Sequence, residues 1–228
     1  MCTKKPFIVA ALFLLPLLCH ASTFDDRYGI GTVHVLPYNF FSLVLYDHAN
    51  DENQFDEIDF SKNKQGGDLH FQFATCGPDS IPSWFAPAYF NVTTGKERIE
   101  LFCIEKEGDW CRVLLNRSTG LTKWIHLGAD VQYRDWSTFF ASIASVQIIS
   151  GDAKLYTKPS LTANTETLQT KFESGSTQLI QPEKVDGQWM QVKVMTFTYN
   201  MEQTSSTEGW IEWHDDTGIF ISFDLSLN

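Results

Sequence analysis

In most of the short segments of this chain that are rich in apolar residues, apolar and polar residues alternate. This period of two residues is typical of half-buried β-strands. In the first half the pattern predicts strands at 32–35, 42–46, 69–73, 98–105, 110–115 and 121–126. In the second half it predicts strands at 146–149, 177–182, 189–196, 209–213 and 219–225. A helical pattern is found only at 135–141, where Asp135 is the expected N-cap and Trp136, Phe139 and Phe140 form the apolar side. The chain is therefore predicted to be all-β with one short helix.

One arrangement of residues occurs twice, in the same order and at nearly the same spacing. A glycine opens a strand, a turn follows, and then come Trp-x-x-Val and Trp-Ile. The first copy is Gly95, Trp110-Cys111-Arg112-Val113 and Trp124-Ile125, and the second is Gly175, Trp189-Met190-Gln191-Val192 and Trp210-Ile211. Such a repeat predicts two small β-barrels in tandem. Residues three apart on a strand face opposite sides, so the two valines should point inward and Trp110 and Trp189 outward.

The repeat also sets the expected domain boundaries. A lead-in segment at 22–40 precedes a first barrel at 41–128, which carries an insertion at 61–94. A helical connector at 129–144 leads to the second barrel, which occupies 145–228 and ends in a C-terminal strand. With both repeats assigned, no stretch remains that is long enough for a separate catalytic domain.

The first 21 residues have the features of a secretory signal. Lys4 and Lys5 precede an apolar run at 7–18, and Cys19-His20-Ala21 places small residues where a signal peptidase reads. Leu18 stands where a lipoprotein signal needs a small residue. We therefore expect cleavage after Ala21 and a periplasmic or secreted product, with an uncleaved anchor as the alternative. No later apolar run approaches membrane length, so no transmembrane segment is expected after cleavage.

The chain is acidic, with 28 Asp and Glu residues against 17 Lys and Arg residues and a formal net charge of −11. Loss of the signal would remove two lysines and no acidic residue. A field of this sign repels nucleic acid and anionic membrane surfaces, so neither is an expected partner. A cationic or neutral partner is more compatible, and acidity that serves only solubility is the alternative.

Three cysteines follow the signal, and the export compartment is oxidising. Cys103 and Cys111 flank a predicted turn and are in phase with core residues. They could form a cross-strand disulfide if their Cα atoms lie close enough, and buried free thiols are the alternative. Cys76 is left over in either case.

The repeated residues resemble those of bacterial SH3 domains, a family of SH3-like barrels found in exported proteins. That pattern is a strand ending in Leu-Tyr, a long loop, a Gly-opened strand, Trp-x-x-Val and Trp-Ile, and Leu45-Tyr46 and Leu155-Tyr156 supply its first part here. The resemblance implies recognition of peptides or peptidoglycan by aromatic grooves. The candidate ligand-binding residues that it implies are Tyr46, Trp110 and Trp124 in the first repeat and Tyr156, Trp189 and Trp210 in the second.

The chain differs from this family pattern in one respect and adds one feature to it. The chain lacks the Pro–Tyr pair that follows the final aromatic residue in the eukaryotic branch, so binding of proline-rich peptides is not expected. An acidic loop at 47–59 borders the first groove and supplies Asp47, Asp51, Glu52, Asp56 and Glu57. Its spacing does not match a calcium loop, so no metal or other cofactor is expected, but it could attract the amines of a peptide.

Three classes of function can be considered for a chain with these features. The first is an exported, non-catalytic protein that binds peptides or peptidoglycan in the bacterial cell envelope. The second is a protein–protein interaction module, such as an assembly factor or inhibitor, that uses the insertion and the long hairpin around 199–206. The third is a cell-wall hydrolase, which is disfavoured because Cys76 is followed by no helical pattern, and His48, His70 and His126 show no triad spacing.

Overall fold

A computed structural model describes residues 29–62, 67–149, 154–168, 176–215 and 218–223. The expected signal at 1–21 lies outside these residues, as does Gly175 of the repeat pattern. The described part of the chain is all-β apart from one short helix. It contains no helix with the length and apolar character needed to cross a membrane.

The strands are grouped mainly into two large sheets. The first sheet contains β1 (Gly31–Val35), β2 (Ser42–Tyr46), β3 (Gln54–Ser61), β4 (His70–Phe73), β5 (Tyr89–Asn91), β6 (Arg98–Glu107), β7 (Trp110–Asn116), β8 (Leu121–His126) and β9 (Val131–Asp135). The helix α1 (Trp136–Ala141) follows. The second sheet contains β10 (Val146–Ile148), β11 (Lys154–Tyr156), β12 (Thr165–Thr167), β13 (Ser176–Asp186), β14 (Trp189–Thr198), β15 (Gln203–Glu212) and β18 (Ile221–Phe223). A separate small ribbon pairs β16 (His214–Asp215) with β17 (Gly218–Ile219).

The two large sheets have the same strand order. Along the first sheet the order is β3-β2-β8-β7-β6-β1-β9, with β4 added beyond β3, and along the second it is β12-β11-β15-β14-β13-β10-β18. Each strand of one path therefore has a counterpart in the other. The repetition read in the sequence is thus a repetition of sheet topology as well.

One end of the first sheet, formed by β1 and β9, was only partly predicted from the sequence. Strand β1, which falls in the expected lead-in segment, pairs with β6 and β9 and is buried along its whole length. Strand β9, in the expected connector, was not predicted. Its counterpart β18 pairs with β10, so the predicted C-terminal strand does brace the second sheet.

The segment expected to be an acidic loop at 47–59 is only partly a loop, which corrects the prediction for its second half. Residues from Gln54 onward form strand β3, which pairs with β2 and β4. Asp56, Ile58 and Phe60 are its buried residues, and Asp56 is only 3% exposed. The alternation of these positions is that of a strand, and the acidic residues between them obscured it in the sequence.

The core of the first sheet is formed by alternate residues of its strands. Val33, Leu45, Ile58, Leu101 and Val113 are all fully buried there. The insertion completes this core, because Phe71, Phe73, Trp84, Phe85 and Phe90 pack against one another in edge-to-face contacts. The insertion is therefore part of the first folded unit.

The second core joins the two sheets. Strand β6 is buried on both faces, and while Leu101 belongs to the first core, Phe102 and Ile104 belong to the second. In the second core they are joined by Val192 and Trp213 of the second sheet region. The two repeats therefore share buried apolar surface.

Helix α1 lies within this shared core, as its sequence pattern predicted. Asp135 has extended backbone angles, and its carboxylate accepts a hydrogen bond of 2.7 Å from the backbone N–H of Thr138, which is the expected N-cap. Trp136, Phe139 and Phe140 are buried. The indole N–H of Trp136 donates to the carbonyl of Gly29 at 2.9 Å, which ties the helix to the start of the first sheet.

Candidate functional site

An edge-to-face tyrosine–tryptophan pair occurs at the same place in each sheet. The ring centroids of Tyr46 and Trp110 are 5.1 Å apart with an interplanar angle of 82°. Those of Tyr156 and Trp189 are 5.0 Å apart with an angle of 81°. Edge-to-face contact is a favoured arrangement of aromatic rings, and an amphipathic ring at a surface suits ligand contact. The two repeats thus have the same edge-to-face arrangement of one tyrosine and one tryptophan.

The alternation of strand side chains explains how these rings reach the surface. Trp110 and Trp189 are the first residues of β7 and β14, and both are half-buried. Val113 and Val192, three residues later, are fully buried. The predicted inward valines and outward tryptophans are therefore found in both sheets.

The third aromatic residue of each expected groove lies beside the tyrosine. Tyr46 pairs with Trp124 across β2 and β8, and Tyr156 pairs with Trp210 across β11 and β15. Residues directly opposite on antiparallel strands project from the same face of the sheet. The structure therefore brings all three aromatic residues of each repeat to one face. Trp124 is only 9% exposed, whereas Trp210 is half-buried.

The close approach of β11 to β15 depends on Gly209. A β-carbon built on this residue would lie 2.5 Å from Cγ of Leu155 and 3.0 Å from the carbonyl oxygen of Tyr156. A side chain there would require the Leu155 side chain or strand β11 to move. Gly209 therefore permits the register that places Tyr156 opposite Trp210.

The residues that flank the two tryptophans differ between the repeats. In the first sheet Trp110 lies between Glu107 and His126 on the neighbouring strands. In the second sheet Trp189 lies between Asp186 and Glu212. The imidazole of His126 makes its own edge-to-face contact with Trp110, at 5.0 Å and 85°. These flanking residues were not recognised as site residues in the sequence, because only the strand register brings them beside the tryptophans.

The carboxylate of Glu212 is held in place at the edge of the second aromatic pair. Its Oε1 accepts a hydrogen bond of 2.9 Å from Nε2 of Gln188. Burial, and then the negative charge of Asp215, raise the pKa of Glu212 above the ordinary value for a glutamate. Burial and the charge of Glu212 in turn raise the pKa of the Tyr156 phenol. The carboxylate and the phenol therefore interact electrostatically.

The acidic residues beside the first pair are engaged mainly with their own surroundings. Asp47 binds the ammonium group of Lys123, and Asp51 accepts a backbone hydrogen bond of 3.0 Å from Asn53. Asp56 accepts hydrogen bonds from Thr75 and from the backbone of Glu57. Glu52 is exposed, and Glu57 lies half-buried on strand β3. The five residues do not converge as one acidic loop.

The two cysteines that could have formed a disulfide are free thiols in the structure, as is Cys76. A bulge at 103–105 shifts the ladder, so that Cys103 lies opposite Val113 and Cys111 lies opposite Lys106. Both thiols are fully buried, and Cys103 donates to the carbonyl of Glu105 at 3.3 Å. Hydrogen bonding to the Cys111 thiol, and then burial, raise the pKa of Cys103.

Cys76 and His70, two of the candidate residues for a cysteine hydrolase, lie in different surroundings. Cys76 packs against the first core, whereas His70 lies exposed on the outer side of β4. His70 contacts Asp79 through Nδ1 at 2.9 Å, and this contact is the main cause that lowers the pKa of Asp79. The imidazole and the Cys76 thiol therefore face different environments.

A cleft of about 380 Å³ lies between the two sheets, beside the start of α1. Ile30, Asp135, Trp136, Gln188 and Trp213 are among its lining residues. The two indole N–H groups at this cleft already donate to backbone carbonyls. Across the described ranges, no group of three or more His, Cys, Asp and Glu side chains is arranged to hold a metal ion.

Comparisons of the chain with protein-family models, with curated proteins and with solved structures found no match.

Proposed function

We propose that this chain is an exported, non-catalytic protein of the bacterial cell envelope that binds peptides or peptidoglycan through two SH3-like barrels. The observation that carries the proposal is the edge-to-face tyrosine–tryptophan pair, which recurs with the same geometry on equivalent strands of two sheets. The tryptophan of each pair stays half-buried on the outer face in both copies, which suits a recognition surface better than a core contact.

The position of the insertion supports an accessible first site. The backbone N–H of Ala86 donates to the carbonyl of Leu115 at 2.7 Å, and the side chain of Asn116 donates to the carbonyl of Ser83 at 3.1 Å. These contacts lie at the end of β7, and Trp110 lies at its beginning. At about 3.4 Å per residue the two ends are about 20 Å apart. This part of the insertion is therefore anchored away from Trp110.

The test is retention of the exported protein on purified peptidoglycan sacculi. We expect the wild type to be retained and the double variant Trp110→Ala/Trp189→Ala to bind about tenfold or more weakly, because buried aromatic anchors dominate binding energies. The matched control is Phe40→Ala/Tyr199→Ala, which removes two exposed aromatic rings that belong to neither pair. Circular dichroism and a urea midpoint verify that each variant is folded.

A specific observation also favours an interaction module as the second candidate. Phe40 is 85% exposed in a left-handed conformation with φ of 66°, and Tyr199 is 86% exposed at the tip of the β14–β15 hairpin. Large exposed apolar side chains at loop tips are typical of protein contacts. If the wild type is not retained on sacculi, peptidoglycan binding is wrong and these two residues become the first to test against envelope proteins.

A further inference from the structure

The two aromatic sites have equivalent frameworks and differ in the group beside the tryptophan. In the strand registers His126 lies opposite Trp110 in the first sheet, whereas Glu212 lies opposite Trp189 in the second. The second tryptophan therefore has a carboxylate where the first has an imidazole. On the other side of the tryptophan both sheets have an acidic residue, which is Glu107 in the first sheet and Asp186 in the second.

We propose that Tyr156, Trp189 and Glu212 form a binding site for a primary ammonium group of a peptide, and that the corresponding surface of the first sheet does not. This inference rests on the proposed function and names the ligand chemistry of one of its two sites. An ammonium group is attracted both by the face of an indole ring and by a carboxylate.

The carboxylate of Glu212 is oriented so that it can bind such a ligand. Gln188 holds Oε1, which orients the group and leaves Oε2 for a further partner. Asp186 and Asp215 add negative charge, since the first lies on the other side of Trp189 and the second raises the pKa of Glu212. A bound cation would reduce the repulsion between these carboxylates. Its binding should weaken when Glu212 becomes protonated, because the side chain then loses its negative charge.

Lysines on the same face lie further along the strands. Lys184 lies opposite Gln191, on the next pair of residues whose side chains point to the same face as Trp189. Lys193 lies opposite Glu208. The rung that contains Trp189 itself carries only the two carboxylates. The local charge at the tryptophan is therefore negative.

The position of Glu212 is taken by an imidazole in the first site. His126 packs against Trp110 where Glu212 lies in the second site. The guanidinium group of Arg112, on the same face, pairs with Glu105 at 2.9 Å. An ammonium group at Trp110 would therefore lack the carboxylate that Glu212 supplies beside Trp189.

The test uses the exported protein labelled with ¹⁵N, and follows the indole N–H resonances during titration. The probe is the blocked tripeptide Ala-Lys-Ala, and its Nε-acetylated form is the uncharged comparison. We expect the charged probe to shift the Trp189 resonance and to bind about fivefold or more tightly than the acetylated form. In Glu212→Gln this preference should disappear, whereas Glu208→Gln, on the same strand, should retain it.

The reciprocal variant tests the same inference as a gain of binding. His126→Glu should give the Trp110 resonance a response to the charged probe that the wild type lacks. Equal binding of the charged and acetylated probes by the wild type, or an unchanged preference in Glu212→Gln, would overturn the inference.

Retention on sacculi, measured with the same proteins, separates this inference from the proposed function. If the protein is retained through its tryptophans but shows no amine preference, the inference alone is wrong. If the amine preference depends on Glu212 but sacculi are not bound, the ammonium site stands and the peptidoglycan proposal is wrong.

Discussion

At the scale of single residues, the three described cysteines occupy different environments that should be visible in their chemistry. Cys103 and Cys111 are fully buried, and their mutual hydrogen bond and burial raise the pKa of Cys103, whereas Cys76 is half-buried. The reactive species is the thiolate, so the raised pKa slows the reaction of Cys103, and burial keeps a reagent away from both Cys103 and Cys111. We expect a thiol reagent to modify Cys76 first in the folded protein that lacks residues 1–21, and the other two only as the protein unfolds.

The same reagent also measures whether the buried thiols are paired. Protein unfolded without a reductant should show three free thiols, and the Cys76→Ser variant should lack the fast phase. A count of one free thiol, rising to three after reduction, would show that Cys103 and Cys111 form a disulfide in this protein.

At the scale of elements, the contact between β11 and β15 should be sensitive to one methyl group. Gly209→Ala would place a β-carbon 2.5 Å from the buried Leu155 side chain, so either that side chain or strand β11 must move. We expect a loss of about 1–3 kcal/mol in the free energy of unfolding, measured by urea denaturation.

A matched substitution separates this steric effect from the general effect of replacing glycine. Gly128→Ala meets no heavy atom within 4 Å of the added β-carbon. It should change the free energy of unfolding by less than about 1 kcal/mol. Equal effects of the two substitutions would contradict the packing explanation.

At the scale of the whole molecule, the shared core makes the stability of the two sheets interdependent. Phe140 of α1 is 1% exposed and belongs to the same apolar cluster as Phe102 of the first sheet and Val192 of the second. We expect Phe140→Ala to lower the free energy of unfolding by about 3–5 kcal/mol. Fluorescence and circular dichroism should both follow a single transition in the wild type.

Phe40→Ala provides the control for this substitution, because Phe40 is 85% exposed. It should leave the urea midpoint nearly unchanged. Two separate transitions in the wild type, of which Phe140→Ala moves only one, would show that the shared core does not couple the sheets.

Much of the fold could be predicted because it depends on local patterns. The strands around Trp110 and Trp189 follow from alternation, and the Asp135 cap follows from its own side chain and the apolar residues after it. Strand β9 and the strand character of Gln54–Ser61 were missed, since short polar or acidic strands have little apolar signal. Their pairing partners, not their composition, keep them extended.

The sequence by itself determined the β-rich character, the two-fold repeat and the outward position of the paired tryptophans, because these depend on residue spacing along a strand. Only the tertiary structure decided which residues flank each tryptophan, because strand register joins positions that are far apart in the chain. It put His126 beside Trp110 and Glu212 beside Trp189. It also put Phe102 and Phe140 in one core, where burial on both faces of β6 connects the two halves of the molecule.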